Sequence, residues 1–160
     1  SYNQKLPHLI LQKQGRYYIV HFKEMLKLDG RPVTIDLEDE IRRDSIAQLE
    51  RMVKDDGYEL IMVYGSVADK DYKSVIRMIP RCAKVIFTNA SGSRALPADE
   101  ALAAYGTEAF VCHTVAEAVA LERNLSETCT KPLIYIGGST YVVSEAIRVK
   151  QEADCCVELR

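Results

Sequence analysis

The sequence predicts a three-layer α/β domain built on a mostly parallel, doubly wound sheet of the Rossmann-like kind. Short apolar runs rich in β-branched residues alternate with longer amphipathic stretches along the 160 residues, the pattern of strands joined by crossover helices. Two of the runs, Leu60–Tyr64 and Leu133–Ile136, pass into Gly65-Ser66 and Gly137-Gly138-Ser139-Thr140 just where a helix should begin. Corners of this composition set backbone N–H groups and small side chains at the carboxyl edge of an open sheet, where ligands bind. Neither a repeat nor a linker-like tract interrupts the chain, so residues 1–160 are expected to form one domain.

Each element follows from local chemistry. Tyr17 to Phe22 is a β-rich run after Gly15-Arg16. Met25 to Gly30 fits no single period, and Gly30-Arg31-Pro32 then turns the chain into a strand expected over Val33 to Leu37. From Asp39 to Asp55, Ile41, Ile46, Leu49 and Val53 share one stripe opposite a charged face, which predicts an amphipathic helix stopped at Gly57. Strand Leu60 to Tyr64 precedes a helix over Asp71 to Ile79, ended by Pro80. Strand Lys84 to Thr88 leads into the polar loop around Ser91-Gly92-Ser93-Arg94.

Pro97 suits a first helical position, and Asp99 and Glu100 favour the positive end of a helix that ends near Gly106. Phe110 to Cys112 is a brief strand. Thr114-Val115-Ala116-Glu117 has the capping-box form and opens a helix to about Asn124. Pro132 introduces strand Leu133 to Ile136, a helix runs from about Thr140 to Val149, and Cys155 to Leu159 is expected as a last strand.

Composition narrows the function. With 21 basic against 23 acidic residues and a pI near 5.9, no Lys/Arg stripe is concentrated enough to neutralise a run of phosphates, so no nucleic-acid partner is expected. No apolar run approaches the ~20 residues of a membrane span, and no secretory signal opens the chain. The five cysteines (82, 112, 129, 155 and 156) lack metal-ligand spacing, which suits a reducing, cytoplasmic location. His8, His21 and His113 are scattered, so no metal site is expected. The chain opens Ser1-Tyr2 without an initiator Met, which suggests a piece of something longer.

Three segments together resemble a known family: Val63-Tyr64-Gly65-Ser66-Val67-Ala68-Asp69-Lys70-Asp71, Phe87-Thr88 with Ser93-Arg94-Ala95-Leu96, and Ile136-Gly137-Gly138-Ser139-Thr140-Tyr141-Val142-Val143-Ser144-Glu145. In order and spacing, roughly residues 58 to 150 are similar to the C-terminal domain of bacterial folylpolyglutamate synthase/dihydrofolate synthase, of the Mur ligase group. Gly15-Arg16 matches a Gly-Arg at the start of that domain. The resemblance implies one wall of an ATP-dependent amide ligase, closing over ATP and Mg held by a central ATPase domain. An acyl phosphate forms on a folate or pterin carboxylate and L-glutamate supplies the amine. The chain has no G-x-x-x-x-G-K-[ST] phosphate loop, so alone it is expected to be inactive. Where the family carries Asp-Gly-(Ala or Thr)-His-Asn, this chain reads Asp36-Leu37-Glu38-Asp39. That departure favours an alternative, a non-catalytic Rossmann-like binding or interaction domain.

The candidate residues follow from the same segments, each with an ordinary structural role beside the functional one. Arg16 would stabilise charge on the transferring phosphoryl group, or be a surface Arg before an edge strand. Asp36, Asp69 and Lys70 would face the nucleotide. Asp36 belongs to an acidic cluster that a helix N-terminus favours in any case, and Asp69 or Asp71 would also serve as a helix cap. Ser93, Arg94, Gly138 and Ser139 would hold the substrate carboxylate. The alternatives are a loop anchor at Arg94 and tight strand–helix packing with an N-cap at Gly138-Ser139.

Overall fold

A computed structural model describes residues 9–14, 17–22, 27–28, 31–32, 46–47 and 49–158. Two short antiparallel strand pairs come first. β1 (Leu9–Gln14) pairs with β2 (Tyr17–Phe22), Leu9 opposite Phe22 and Gln14 opposite Tyr17. β3 (Lys27–Leu28) pairs with β4 (Arg31–Pro32). β1 has no counterpart among the expected strands, and within the ambiguous segment Lys27–Leu28 is the strand that pairs with Arg31–Pro32. Arg16, Asp36, Ile41 and the strand expected over 33–37 lie outside the described residues.

Helix α1 covers residues 46–47 and 49–56, with Ile46 and Leu49 buried as its stripe requires. Strands and helices then alternate: β5 (Glu59–Tyr64), α2 (Tyr72–Arg77), β6 (Lys84–Thr88), α3 (Ala98–Tyr105), β7 (Phe110–Cys112), α4 (Val115–Glu127), β8 (Pro132–Gly137) and α5 (Thr140–Glu158). Their signals are those in the sequence. Asp71 caps α2 by accepting from the Ser74 N–H, Gly106 closes α3 in the left-handed conformation, and Thr114 caps α4 by accepting from the Glu117 N–H. Glu117 returns a carboxylate oxygen to the His113 N–H, a variant of the capping box that reaches one residue further back.

The end of the chain differs from expectation. Cys155 to Glu158, expected as strand, continues α5. No Gly or Pro interrupts residues 140–158, so each turn of helix adds hydrogen bonds without a nucleation cost. A separate strand there would need a partner of its own.

The four later strands form one parallel sheet in the order β7-β6-β5-β8. The chain starts at β5, steps outward to β6 and β7, then crosses back to lay β8 on the other side of β5. Such a reversal is the topological switch of doubly wound folds. β2 lies beside β8 and against α5. Parallel strands need cover on both faces, and alternation divides the core accordingly. Leu60, Met62, Tyr64, Val85, Phe87, Leu133 and Tyr135 pack with α1, α2 and α3 on one face. Ile61, Val63, Ile86, Ile134 and Ile136 pack with α4 and α5 on the other. Each Leu, Ile, Val or Phe so buried contributes about 1.5–3 kcal/mol.

One ion pair sits within the α4–α5 layer. Lys150 Nζ lies 2.9 Å from Glu122 Oε1, with side chains 7% and 0% exposed. Removing one partner takes the opposite charge from beside a buried one, whereas removing both relieves two desolvation penalties. Lys150→Met is therefore expected to lower stability by about 3–5 kcal/mol, and Glu122→Leu/Lys150→Met to recover most of it, as read from urea unfolding midpoints.

Candidate functional site at the carboxyl edge of the sheet

The switch lies between β5 and β8, so the corners after these strands face each other. Gly65 N–H donates to Gly137 O at 3.2 Å. Gly138 has φ +104°, and a Cβ there would overlap the Gly65 carbonyl oxygen. A Cβ on Gly65 would come within 2.7 Å of Thr88 O and of Val142 Cγ2. The two Gly motifs seen in the sequence thus serve first to let three strand ends and α5 meet backbone to backbone. Ser139, 8% exposed, caps α5 by accepting from the Val142 N–H at 3.3 Å.

The loop between β6 and α3 crosses this edge. Ala68 N–H donates to Arg94 O (2.8 Å), Leu96 N–H to Ser66 O (2.9 Å), and Val67 bridges Ala95 antiparallel. Pro97, expected as the first helical residue, is instead the N-cap of α3 and has no side chain to cap with, and Asn89 Oδ1 takes the Ala98 N–H from nine residues away at 2.7 Å. Arg94 pairs with Asp69, Nη2 to Oδ2 at 2.6 Å, both side chains more than half exposed. Ser91 donates its N–H (3.0 Å) and its hydroxyl to Glu145 Oε1 on α5. Lys70 and Ser93 are exposed beside them.

Six of the eight predicted site residues are described, and all six stand on this one edge: Asp69, Lys70, Ser93, Arg94, Gly138 and Ser139. Nucleotide and carboxylate candidates are not separated, because Asp69 and Arg94 bond to each other. Ser91 and Glu145 join the cluster as residues the sequence reading did not single out, and only their loop and first-turn positions could have suggested them. Among the described residues, no three His, Cys, Asp or Glu side chains come together as a metal site, and no helix is long and apolar enough to cross a membrane. Cys112 is buried, and burial followed by the Glu117 charge pushes its thiol up, leaving little thiolate. A groove of about 880 Å³, lined by Lys84, Val85, Leu102, Glu108 and Phe110, opens at the opposite, amino-terminal edge. It takes in none of these residues.

Residues 4–85 match the profile of a family described as "Bacteriophage translational regulator". The chain is 80% identical over 40 residues to the translation repressor protein of Escherichia phage RB69 and 72% identical over 40 residues to that of Enterobacteria phage T4. Each match takes in 25% of this chain and 33% of that protein, so the chain spans about a third of the length of these relatives. The fold is similar to solved ligases. Ligand-free bifunctional folylpolyglutamate synthase/dihydrofolate synthase from Yersinia pestis superposes with TM-score 0.64 at 14% identity, over 92% of this chain and 32% of that one. E. coli FolC in complex with DHPP and ADP gives 0.61 at 14% identity, over 86% and 29%. At these identities the likeness is one of fold.

Two expected outcomes follow from the edge. Gly138→Ala combines a left-handed backbone with a steric overlap and is expected to cost roughly 3 kcal/mol, measured by denaturant unfolding. The hydrogen bond from Arg94 holds the Asp69 carboxyl below its ordinary value. A folded pKa so depressed adds stability above the unfolded value of about 3.9 and loses it as pH falls through the folded value. Carboxyl-carbon NMR is expected to place the Asp69 midpoint below the ordinary carboxylate value in the native protein, and higher in Arg94→Ala than in the native protein.

Proposed function

We propose, from the premise that the chain belongs to the bacteriophage translational regulator family, that it represses translation by binding single-stranded RNA through its N-terminal segment. The observation that carries this reading is a charge asymmetry inside the matched region. Residues 5–32 hold six basic side chains (Lys5, Lys13, Arg16, Lys23, Lys27, Arg31) against two acidic ones (Glu24, Asp29), a net of +4 in a chain whose total is −2. The chain-wide balance that argues against a nucleic-acid partner therefore averages two unlike parts. Tyr17, Tyr18 and Phe22 lie in the same stretch, and cations interleaved with aromatics suit phosphate contact and base stacking. The Rossmann-like remainder then acts as the non-catalytic scaffold, with its carboxyl edge satisfied by internal bonds. The 160 residues form one domain working in the cytoplasm.

A second reading rests on the fold likeness to the folylpolyglutamate synthases. The chain would be the C-terminal wall of such a ligase. Asp69 and Lys70 would face a nucleotide, and Ser93, Arg94, Gly138 and Ser139 would face the L-glutamate carboxylate. ATP, a divalent metal and the folate or pterin acid would sit on a central domain, the described residues offering no metal-ligand cluster of their own. Arg16 and Asp36 would reach the phosphates and the ribose.

Fluorescence anisotropy with labelled single-stranded RNA tests the first reading. Binding is expected to weaken with salt, and Lys13→Ala or Lys23→Ala should each flatten the log–log salt slope by about 0.7. No binding at low salt would reject it. ADP release that requires ATP, L-glutamate and dihydropteroate or tetrahydrofolate, in a longer protein containing this chain, would establish the second instead.

A further inference from the structure

The two sides of helix α2 have opposite chemistry. Ile76 is buried and Tyr72 and Val75 are half-buried, which turns Lys73, Ser74 and Arg77 outward. The chain leaves α2 through a turn in which Ala83 N–H donates to Pro80 O at 3.1 Å, and it enters β6 at Lys84. Arg81, Cys82 and Lys84 are exposed along that path. The exposed side chains of residues 72–84 are therefore four cations, one serine and one cysteine. No Asp or Glu occurs from residue 72 to residue 98, so residues 72–84 carry +4 in a chain whose total is −2.

Ordinary structural roles leave this row unexplained. Among the described residues, none of Lys73, Arg77, Arg81 and Lys84 forms an ion pair or a side-chain hydrogen bond. Arg77 suits the carbonyl end of α2, but Lys73 stands in the first turn, where the helix dipole disfavours a cation. The two lie one turn apart, a spacing at which like charges repel. The arrangement works against the helix locally, whereas a polyanion would meet several unpaired cations together.

We propose that the outer face of α2, with the turn into β6, is a second phosphate-contact surface for single-stranded RNA, an inference that rests on the reading of this chain as a translational regulator. Residues 73–84 fall inside the region that matches that family. Contact with a nucleic-acid backbone is electrostatic and indifferent to base sequence, and a row of Lys and Arg without an apolar centre is suited to it. A protein partner engages an apolar or aromatic centre, and a bilayer takes up apolar side chains beside the cations. Among the described residues the exposed large hydrophobics are Phe110 and Tyr141, and neither belongs to this segment. The N-terminal segment would supply stacking as well as charge, and the α2 face charge alone.

The test follows fluorescence anisotropy of labelled oligo(U) and oligo(A) against salt, for wild type, Lys13→Ala and Lys73→Gln/Arg77→Gln. Loss of two phosphate contacts should flatten the log–log salt slope of the double variant by about 1.4, at about 0.7 per contact, and weaken both oligonucleotides alike. Both side chains are exposed, so urea unfolding of the double variant should match wild type. Arg81→Gln/Lys84→Gln is expected to act in the same way and takes over if the first pair alters stability. A slope changed in Lys13→Ala and unchanged in both double variants would overturn this surface and leave the proposed function standing. Absence of RNA binding by wild type at low salt would overturn both. Poly-L-glutamate and phosphatidylserine vesicles, matched in charge, should displace the RNA more weakly than unlabelled oligo(U) does. Equal displacement would overturn the assignment to RNA in favour of an acidic protein or an anionic membrane.

Discussion

Everything else in this molecule is arranged around β5, a strand paired on both sides and buried on both faces. Its parallel neighbours β6 and β8 take up its backbone groups along both edges, and its side chains from Leu60 to Tyr64 are all 2% exposed or less. A strand in that position admits no polar inward residue and no antiparallel shortcut. Each return of the chain must run through a helix that covers one face. Leu49, Ile76 and Ala101 close one side, and Val119, Val142 and Ala146 the other. Where β5 ends, the same crowding requires Gly65 against Thr88 and Gly138 against Gly65, because no side chain fits between those backbones.

That crowding governs the chemistry of the carboxyl edge. In an open doubly wound sheet the crevice at the switch receives a ligand. Here the strand ends touch, and the loop above them is tied down at Asp69 and at Glu145. Arg94 with Asp69, and Ser91 with Glu145, are therefore bonded within the chain. Ser139 and Asp71 hold helix N-termini, and Arg94 holds a carboxylate. The edge has the composition of a ligand site and the bonding of a structural joint.

The two kinds of similarity in this chain record different physical demands. Fold similarity at 12–15% identity needs only the apolar alternation of four strands and the small residues at their ends. Many sequences meet those demands, and fold alone does not specify activity. Identity of 72–80% within 40 residues means that most individual side chains of that stretch are the same. That is the level on which recognition of a partner is written.

The sequence by itself determined the elements whose signals are local. Short continuous apolar runs marked β5, β6 and β8, and capping chemistry at Asp71, Thr114 and Gly106 fixed the ends of α2, α4 and α3 to within a residue or two. The Gly-rich corners marked the edge where the candidate residues gather. Its local signals failed where two structures share one pattern. Leu9-Ile10-Leu11 followed by Gln12-Lys13-Gln14 has no sustained period, so β1 depends on pairing with β2. Cys155 to Glu158 reads equally as strand or helix, and continuity with α5 decided it. Only the tertiary structure settled which strand lies centrally, that Glu122 meets Lys150 across 28 residues, and that Asp69 and Glu145 fill the donors of Arg94 and Ser91. These are contacts between residues far apart in the chain. Their energies depend on distance and burial, which the order of amino acids sets only through the completed fold.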